Sequence, residues 1–126
     1  MNKRILAVDD DESIRRILQV NLERGGYTVE TAQSGASALP LLLKNHYDLL
    51  ISDVMMPEMD GLELLEHVRQ SPELRKLPVI LLTAQSSERD ITRAYVKGTD
   101  LYLTKPFDPN ELRIWVGRML SETRED

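Results

Sequence analysis

Polar residues able to do chemistry recur in this sequence at one kind of place, just after a short apolar run. Ile5 to Val8 leads into Asp9, Asp10 and Asp11, the run Asp48 to Ser52 into Asp53, Val79 to Leu82 into Thr83, and Leu101 to Leu103 into Lys105-Pro106. Singly, each has an ordinary explanation. Acids after a strand sit in solvated loops or cap the next helix, as Asp11 or Ser13 could here. Asp53 before Pro57 suits a turn, Thr83 could cap a helix less well than Ser86 or Ser87, and Lys105 could be a surface lysine. Together they bring carboxylates, a hydroxyl and an ammonium to one rim. Clustered carboxylates repel, and a divalent cation with hard oxygen ligands relieves the repulsion. Mg²⁺ fits, because it accepts one or two carboxylates, keeps several waters and favours phosphate oxygens. A metal, a lysine and a threonine around one aspartate are the parts needed to attach a phosphoryl group. Metal and ammonium neutralise its equatorial oxygens, the hydroxyl donates to one of them, and Asp53 supplies the attacking oxygen. No general base is needed, since a carboxylate is ionised near neutral pH.

That convergence depends on the elements. The runs at Ile5 to Val8, Asp48 to Ser52, Val79 to Leu82 and Leu101 to Leu103 are apolar without alternation, the pattern of strands covered on both faces. Tyr27 to Thr31 alternates and is rich in β-branched residues, which suits a strand nearer an edge. Between the runs lie helical stripes. Ile14, Ile17, Leu18 and Leu22 end at Gly25-Gly26; Leu62, Leu65 and Val68 end near Ser71-Pro72; Ile91, Ala94 and Tyr95 precede Gly98. Leu112, Trp115, Val116, Met119 and Leu120 follow an Asp108-Pro109 start. Ala36 to Lys44 is weaker, because Pro40 removes a backbone donor and should shorten or kink the helix. Five strand–helix units with right-handed crossovers predict an open, doubly wound α/β fold with a five-stranded parallel sheet. Ligands of such sheets bind beyond the carboxyl ends of the strands, where these polar residues fall.

Composition narrows the classes further. The 126 residues suffice for one domain and bury roughly two-thirds of their unfolded surface. With no cysteine, a disulfide framework, a thiolate zinc site and a cysteine nucleophile are excluded. A net charge of −5 with both signs dispersed argues against direct nucleic-acid binding. No apolar run approaches the ~20 residues of a membrane span, and the N-terminus is not a secretory signal, so a cytoplasmic protein without membrane insertion is expected. Residues 1–121 read as the domain, and 122–126 as a charged tail within the loose stretch from Ser121 to Asp126. His46 and His67 read as surface residues.

Ala7-Val-Asp-Asp10, Ser52-Asp-Val-Met-Met-Pro57 with Asp60-Gly61, Leu82-Thr-Ala84, and Tyr102-Leu-Thr-Lys-Pro-Phe107 closely resemble the receiver domain of two-component response regulators, of the chemotaxis-regulator-like kind. The resemblance runs from Arg4 to Leu120 in the family's order and spacing. It implies a flavodoxin-like sheet with strand order 2-1-3-4-5 and five helices. It implies that Asp53 is the phosphoacceptor, served by a phosphohistidine on a sensor histidine kinase or a phosphotransfer protein. Mg²⁺ would be held by Asp10 directly, by Asp9 through water, by Asp53 and by the Met55 backbone carbonyl. Lys105 would pair with the phosphoryl oxygens. Thr83 would swing toward them and Tyr102 turn inward, and Met55 and Gln85 would tune the phosphoryl lifetime. The product is a signalling switch, not an enzyme.

Departures from the family pattern carry expectations of their own. Asp11 is an additional acid that could serve only as a cap. Leu101 stands where a polar residue is frequent, so one of Leu101 and Tyr102 should face away from the core. With Ile114 they would then form a partner or dimer surface on the fourth helix, fifth strand and fifth helix; an isolated exposed apolar residue is the plain alternative. Three rival functions were weighed. A cofactor-binding flavodoxin-like module would need a Gly/Ser/Thr-rich loop after the first strand, where this chain has Asp-Asp-Asp-Glu. A magnesium-dependent phosphatase would need a second acid near Asp53, where Val54 and Met55 stand. A phosphorylation-independent interaction module is argued against by intact Asp9, Asp10, Asp53, Thr83 and Lys105.

Overall fold

The structure, a computed structural model, describes residues 2–122. Strands and helices alternate: β1 (Arg4–Val8), α1 (Glu12–Arg24), β2 (Thr28–Ala32), α2 (Gly35–Lys44), β3 (Leu49–Asp53), α3 (Gly61–Gln70), β4 (Val79–Thr83), α4 (Glu88–Val96), β5 (Leu101–Thr104) and α5 (Pro109–Glu122). The five strands pair in parallel in the order β2-β1-β3-β4-β5, the doubly wound arrangement expected. Central β3 and β4 are buried at every position, which explains their unbroken apolar sequence.

Successive strand residues point to opposite faces, so the sheet feeds two cores. Leu6, Leu50 and Leu81 meet Leu42 of α2, Leu64 of α3 and Ala94 of α4 on one side. Ile5, Ile51 and Ile80 meet Leu18 and Leu22 of α1 and Val116 of α5 on the other. Side chains fix the helix starts by accepting orphan backbone N–H groups. Asp11 caps α1 through Ser13, Ser34 caps α2, and Ser87, not Thr83, caps α4. Asp60 and Glu63 form a reciprocal capping box on α3.

Several boundaries differ from the sequence reading. α2 keeps its full span to Lys44 with Pro40 inside it, and is not shortened. Its Ala38 and Leu42 are buried, and that burial outweighs the missing donor. β2 begins at Thr28 rather than Tyr27, and β3 runs on to Asp53, so the carboxylate is part of the strand. Ser121 and Glu122 complete α5, while 123–126 of the proposed tail lie outside the described residues.

Two glycines make opposite predictions. A Cβ on Gly61 would lie 2.2 Å from the Asp53 carbonyl oxygen and 2.8 Å from Val54 Cα, so α3 can begin this close to β3 only with glycine. Gly61→Ala should cost about 1–3 kcal/mol through overpacking. On Gly117, within α5, the nearest atom would be 3.7 Å away, so Gly117→Ala should stabilise by roughly 0.5–1 kcal/mol through helix propensity. Urea unfolding of both variants checks the pair; equal effects would contradict the packing described.

Candidate functional site

From β1 to β4 the strands end in a shallow stagger at their carboxyl edge, each one residue beyond the last. Val8 lies opposite Ser52, Asp53 opposite Leu82, and Thr83 opposite Thr104. Asp9 and Lys105 follow their strands yet remain on the hydrogen-bond ladder. The Asp9 N–H donates to the Ala32 carbonyl at 3.2 Å, and the Lys105 N–H to the Thr83 carbonyl at 2.8 Å. Backbone bonding therefore aims both side chains.

They meet over Asp53. Lys105 Nζ donates to Asp9 Oδ2 at 2.8 Å and to Asp53 Oδ2 at 3.1 Å. Asp9 is 1% exposed and Asp53 5%, so this is a buried arrangement of two carboxylates and one ammonium. The remaining oxygens accept from backbone: Asp9 Oδ1 from Asp11 N–H at 2.9 Å, and Asp53 Oδ1 from Met55 N–H at 3.2 Å. Arg15 Nη1 donates to the Asp9 carbonyl at 2.7 Å and ties α1 to the same turn. Asp10 is exposed beside them, and one oxygen each of Asp9, Asp10 and Asp53 lies within 4.8 Å of the others.

The charges do not balance. Burial pushes the Asp53 carboxyl above the ordinary range; Lys105 pulls it back, and the neighbouring Asp9 pushes it up again. Burial alone would lower the Lys105 ammonium, but its bonds to Asp9 and Asp53 prevail and carry it above the usual lysine value. A cluster short of positive charge, with hard oxygens converging and an exposed acid at its mouth, fits a divalent cation.

Thr83 is fully buried, and its Oγ1 accepts from the Gln85 N–H at 3.2 Å, leaving the hydroxyl proton for another acceptor. Tyr102 is turned inward at 9% exposure, and its hydroxyl donates to the Gln85 carbonyl at 2.7 Å. Met55, 54% exposed, and Gln85 line one cleft of about 480 Å³ with Pro57 and Arg93. Asp9, Asp10, Asp53 and Lys105 thus gather at one edge, with Thr83 at the end of the neighbouring strand and Met55 and Gln85 in an adjoining cleft.

The response regulator receiver domain model matches residues 5–116. This chain belongs to the response regulator receiver domain family. It is 44% identical over 120 residues to the alkaline phosphatase synthesis transcriptional regulatory protein PhoP of Bacillus subtilis, covering 95% of this chain and 49% of that protein. It is 36% identical over 124 residues to the transcriptional regulatory protein SrrA of Staphylococcus aureus, covering 98% of this chain and 50% of that one. The chain spans about half the length of these relatives. Among solved structures, the Francisella response regulator 1452 receiver domain superposes with a TM-score of 0.92 at 36% identity, covering 98% of this chain and 100% of that one. The chemotaxis protein CheY4 of Vibrio cholerae gives 0.89 at 36% identity, covering 94% and 99%.

In this receiver domain the expected apolar surface takes a different form. Leu101 is half-buried against the α1/α5 layer and Tyr102 is buried in the other, because β5 is covered by helices on both faces. Neither faces away from the core. Ile114 is exposed at 60%, as expected, and on α4 Tyr95 and Val96 are also exposed, at 44% and 80%. Val96 and the Tyr95 hydroxyl bond described below escaped the sequence reading, because Tyr95 and Ala94 looked like members of one buried stripe. His46 and His67 are exposed, as read.

A carboxyl whose pKa rises on folding opposes folding once it is ionised. The cost is absent below the unfolded value, 3.8, and grows as pH climbs through the folded one. In chelator at neutral pH, Asp53→Asn should therefore raise the melting temperature, an advantage that vanishes in acid. Lys105→Met should act oppositely, costing about 3 kcal/mol by stranding the buried carboxylates. Thermal unfolding of the two variants against pH measures both.

Proposed function

We propose that this receiver domain accepts a phosphoryl group on Asp53 from a phosphohistidine of a sensor histidine kinase or histidine phosphotransfer protein. The observation that carries the reading is Lys105 Nζ bridging Asp9 and Asp53 with Asp10 alongside, at the carboxyl edge of the sheet. An Asp53 oxygen attacks phosphorus, the P–N bond of the donor breaks as the P–O bond forms, and the imidazole leaves with the bonding pair. Lys105 already lies within reach of the acceptor oxygen and pairs with the phosphoryl oxygens as they arrive. Thr83, whose proton is uncommitted, donates to another. Asp9, Asp10, Asp53 and the Met55 backbone carbonyl would hold Mg²⁺, which supplies charge neutralisation of the phosphoryl oxygens when bound.

The new group carries about −2 charge and gives Thr83 and Lys105 a new partner. Thr83 is linked to Tyr102 through Gln85, so these residues form the switch that reports to the α4–β5–α5 face. The partner read there is a downstream protein or a second copy of the chain, meeting Tyr95, Val96 and Ile114. Met55 and Gln85, which line the same adjoining cleft, control water access to the acyl phosphate and hence its lifetime. The domain promotes its own phosphorylation and dephosphorylation but works as a signalling switch, without direct nucleic-acid contact, in the cytoplasm. No helix among the described residues is long and apolar enough to cross a membrane.

Incubation with acetyl phosphate and Mg²⁺ tests the reading. Intact-mass spectrometry should register one added phosphoryl group on wild type, none on Asp53→Asn, and a loss of labelling in EDTA. A wild-type protein that stays unmodified while folded would refute the assignment; turnover of many phosphoesters would point to a phosphatase instead.

A further inference from the structure

The hydrogen bonds at Thr83 continue beyond the site. Gln85 N–H donates to Thr83 Oγ1 at 3.2 Å, and the Gln85 carbonyl accepts the Tyr102 hydroxyl at 2.7 Å. The Tyr102 N–H then donates to the hydroxyl of Tyr95 at 3.1 Å. β5 is the last strand of the sheet, so an N–H on its outer side has no neighbouring strand to bond. Tyr95, in the last turn of α4, fills that vacancy from the helix, while its ring stays 44% exposed. Tyr102 is thus gripped twice, by its side chain to the β4–α4 loop and by its backbone to the end of α4.

We infer that Tyr95 is a positioning residue of the switch: its hydroxyl fixes α4 against β5 in the arrangement that holds Tyr102 inward, and so favours a phosphoryl group on Asp53. The inference rests on the phosphoacceptor reading and adds the surface end of its relay. The rest of α4 is anchored independently. Lys97, at its C-terminus, pairs with Glu66 of α3, and Arg69 of α3 donates to the Gly98 carbonyl and to Asp100 just beyond. Those ties reach the helix end and the following turn, whereas only the Tyr95 hydroxyl reaches the backbone of Tyr102 itself. Linkage makes the effect reciprocal. An interaction that stabilises the inward arrangement must raise the affinity of Asp53 for a phosphoryl mimic, and a mimic on Asp53 must tighten the Tyr95 bond. Spatial succession alone does not establish coupling; a cycle of deletions does.

Tyr95→Phe removes the hydroxyl and keeps the ring. With Mg²⁺ and beryllium fluoride as the phosphoryl mimic, NMR titration should give Tyr95→Phe an apparent affinity about fivefold weaker than wild type, the equivalent of one hydrogen bond. Tyr102→Phe should weaken it likewise, and the double variant should be no worse than the weaker single one. The Tyr102 amide should also exchange with solvent faster in Tyr95→Phe. Wild-type affinity in Tyr95→Phe, or losses that multiply in the double variant, would overturn the inference while leaving the phosphoacceptor reading intact. A wild-type protein that takes up no beryllium fluoride would overturn that reading, and this inference with it.

Discussion

Two carboxylates and a single ammonium share a nearly dry pocket, and much else in this domain follows from their imbalance. Asp9 and Asp53 are too buried to be neutralised by water, and Lys105 serves both at once. One cation between two anions leaves residual negative charge, which is why burial and Asp9 together hold the Asp53 carboxyl above its ordinary range. Such an arrangement is poor for stability and suited to capture. An arriving cation or a phosphoryl group with its counterion completes a charge balance that the folded chain leaves open. The Asp53 carboxylate is also fixed in direction, since one oxygen is held by Lys105 and the other by the Met55 N–H.

Holding like charges together requires a frame that cannot relax away from them. The frame is the sheet: β3 and β4 are buried throughout, and the ladder extends past the strand ends to Asp9 and Lys105. Gly61 tightens it further, letting α3 begin against the Asp53 carbonyl and closing the space into which β3 could shift. The rigid side of the site is therefore β1, β3 and the start of α3. The β4–α4 and β5 side is linked differently, with single hydrogen bonds of Gln85, Tyr102 and Tyr95 running in series from loop to strand to helix. The proposed switch would draw on both, one wall that fixes Asp53 and one whose arrangement depends on a few hydrogen bonds.

Most of the fold and the location of the site were legible because both follow from local pattern. Uninterrupted apolar runs mean strands covered on both faces, and ligand groups in such a sheet lie after those runs; Asp9, Asp53, Thr83 and Lys105 obey that rule. What was not legible depends on packing between distant segments. Asp9 and Asp10 are adjacent and chemically identical, yet one is buried against Lys105 and the other is exposed, a division set by the ladder bond to Ala32. Leu101 and Tyr102 looked like candidates for an exposed pair, but helices cover both faces of β5 and bury each in a different layer. Pro40 argued for a shortened or kinked α2, and with Ala38 and Leu42 buried the helix keeps its full span. The capping box on α3 was present in the spacing of Asp60 and Glu63, whereas the Tyr95 bond to Tyr102 left no sequence signal at all.

The opposite edge of the sheet shows how an unbalanced site can sit in a stable domain. There each polar group has its hydrogen-bond partners. Arg4 pairs with Glu30 and lies over the Tyr47 ring, Tyr47 donates to the same carboxylate, and Asp48 accepts from the Arg4 N–H. The hydrogen bond from Tyr47 first, and then Arg4, keep the Glu30 carboxyl below its usual range, while burial and Glu30 push the Tyr47 phenol up to about 12. Arg69 does comparable work at the starts of β4 and β5, donating to the Leu77 and Gly98 carbonyls and to Asp100, which also accepts the Val79 N–H. Satisfied networks at the amino-terminal edge and a charge deficit at the carboxyl edge are joined by continuous buried strands. Because the first does not depend on the occupancy of the second, the site can change its charge while the amino-terminal edge keeps the strands in register.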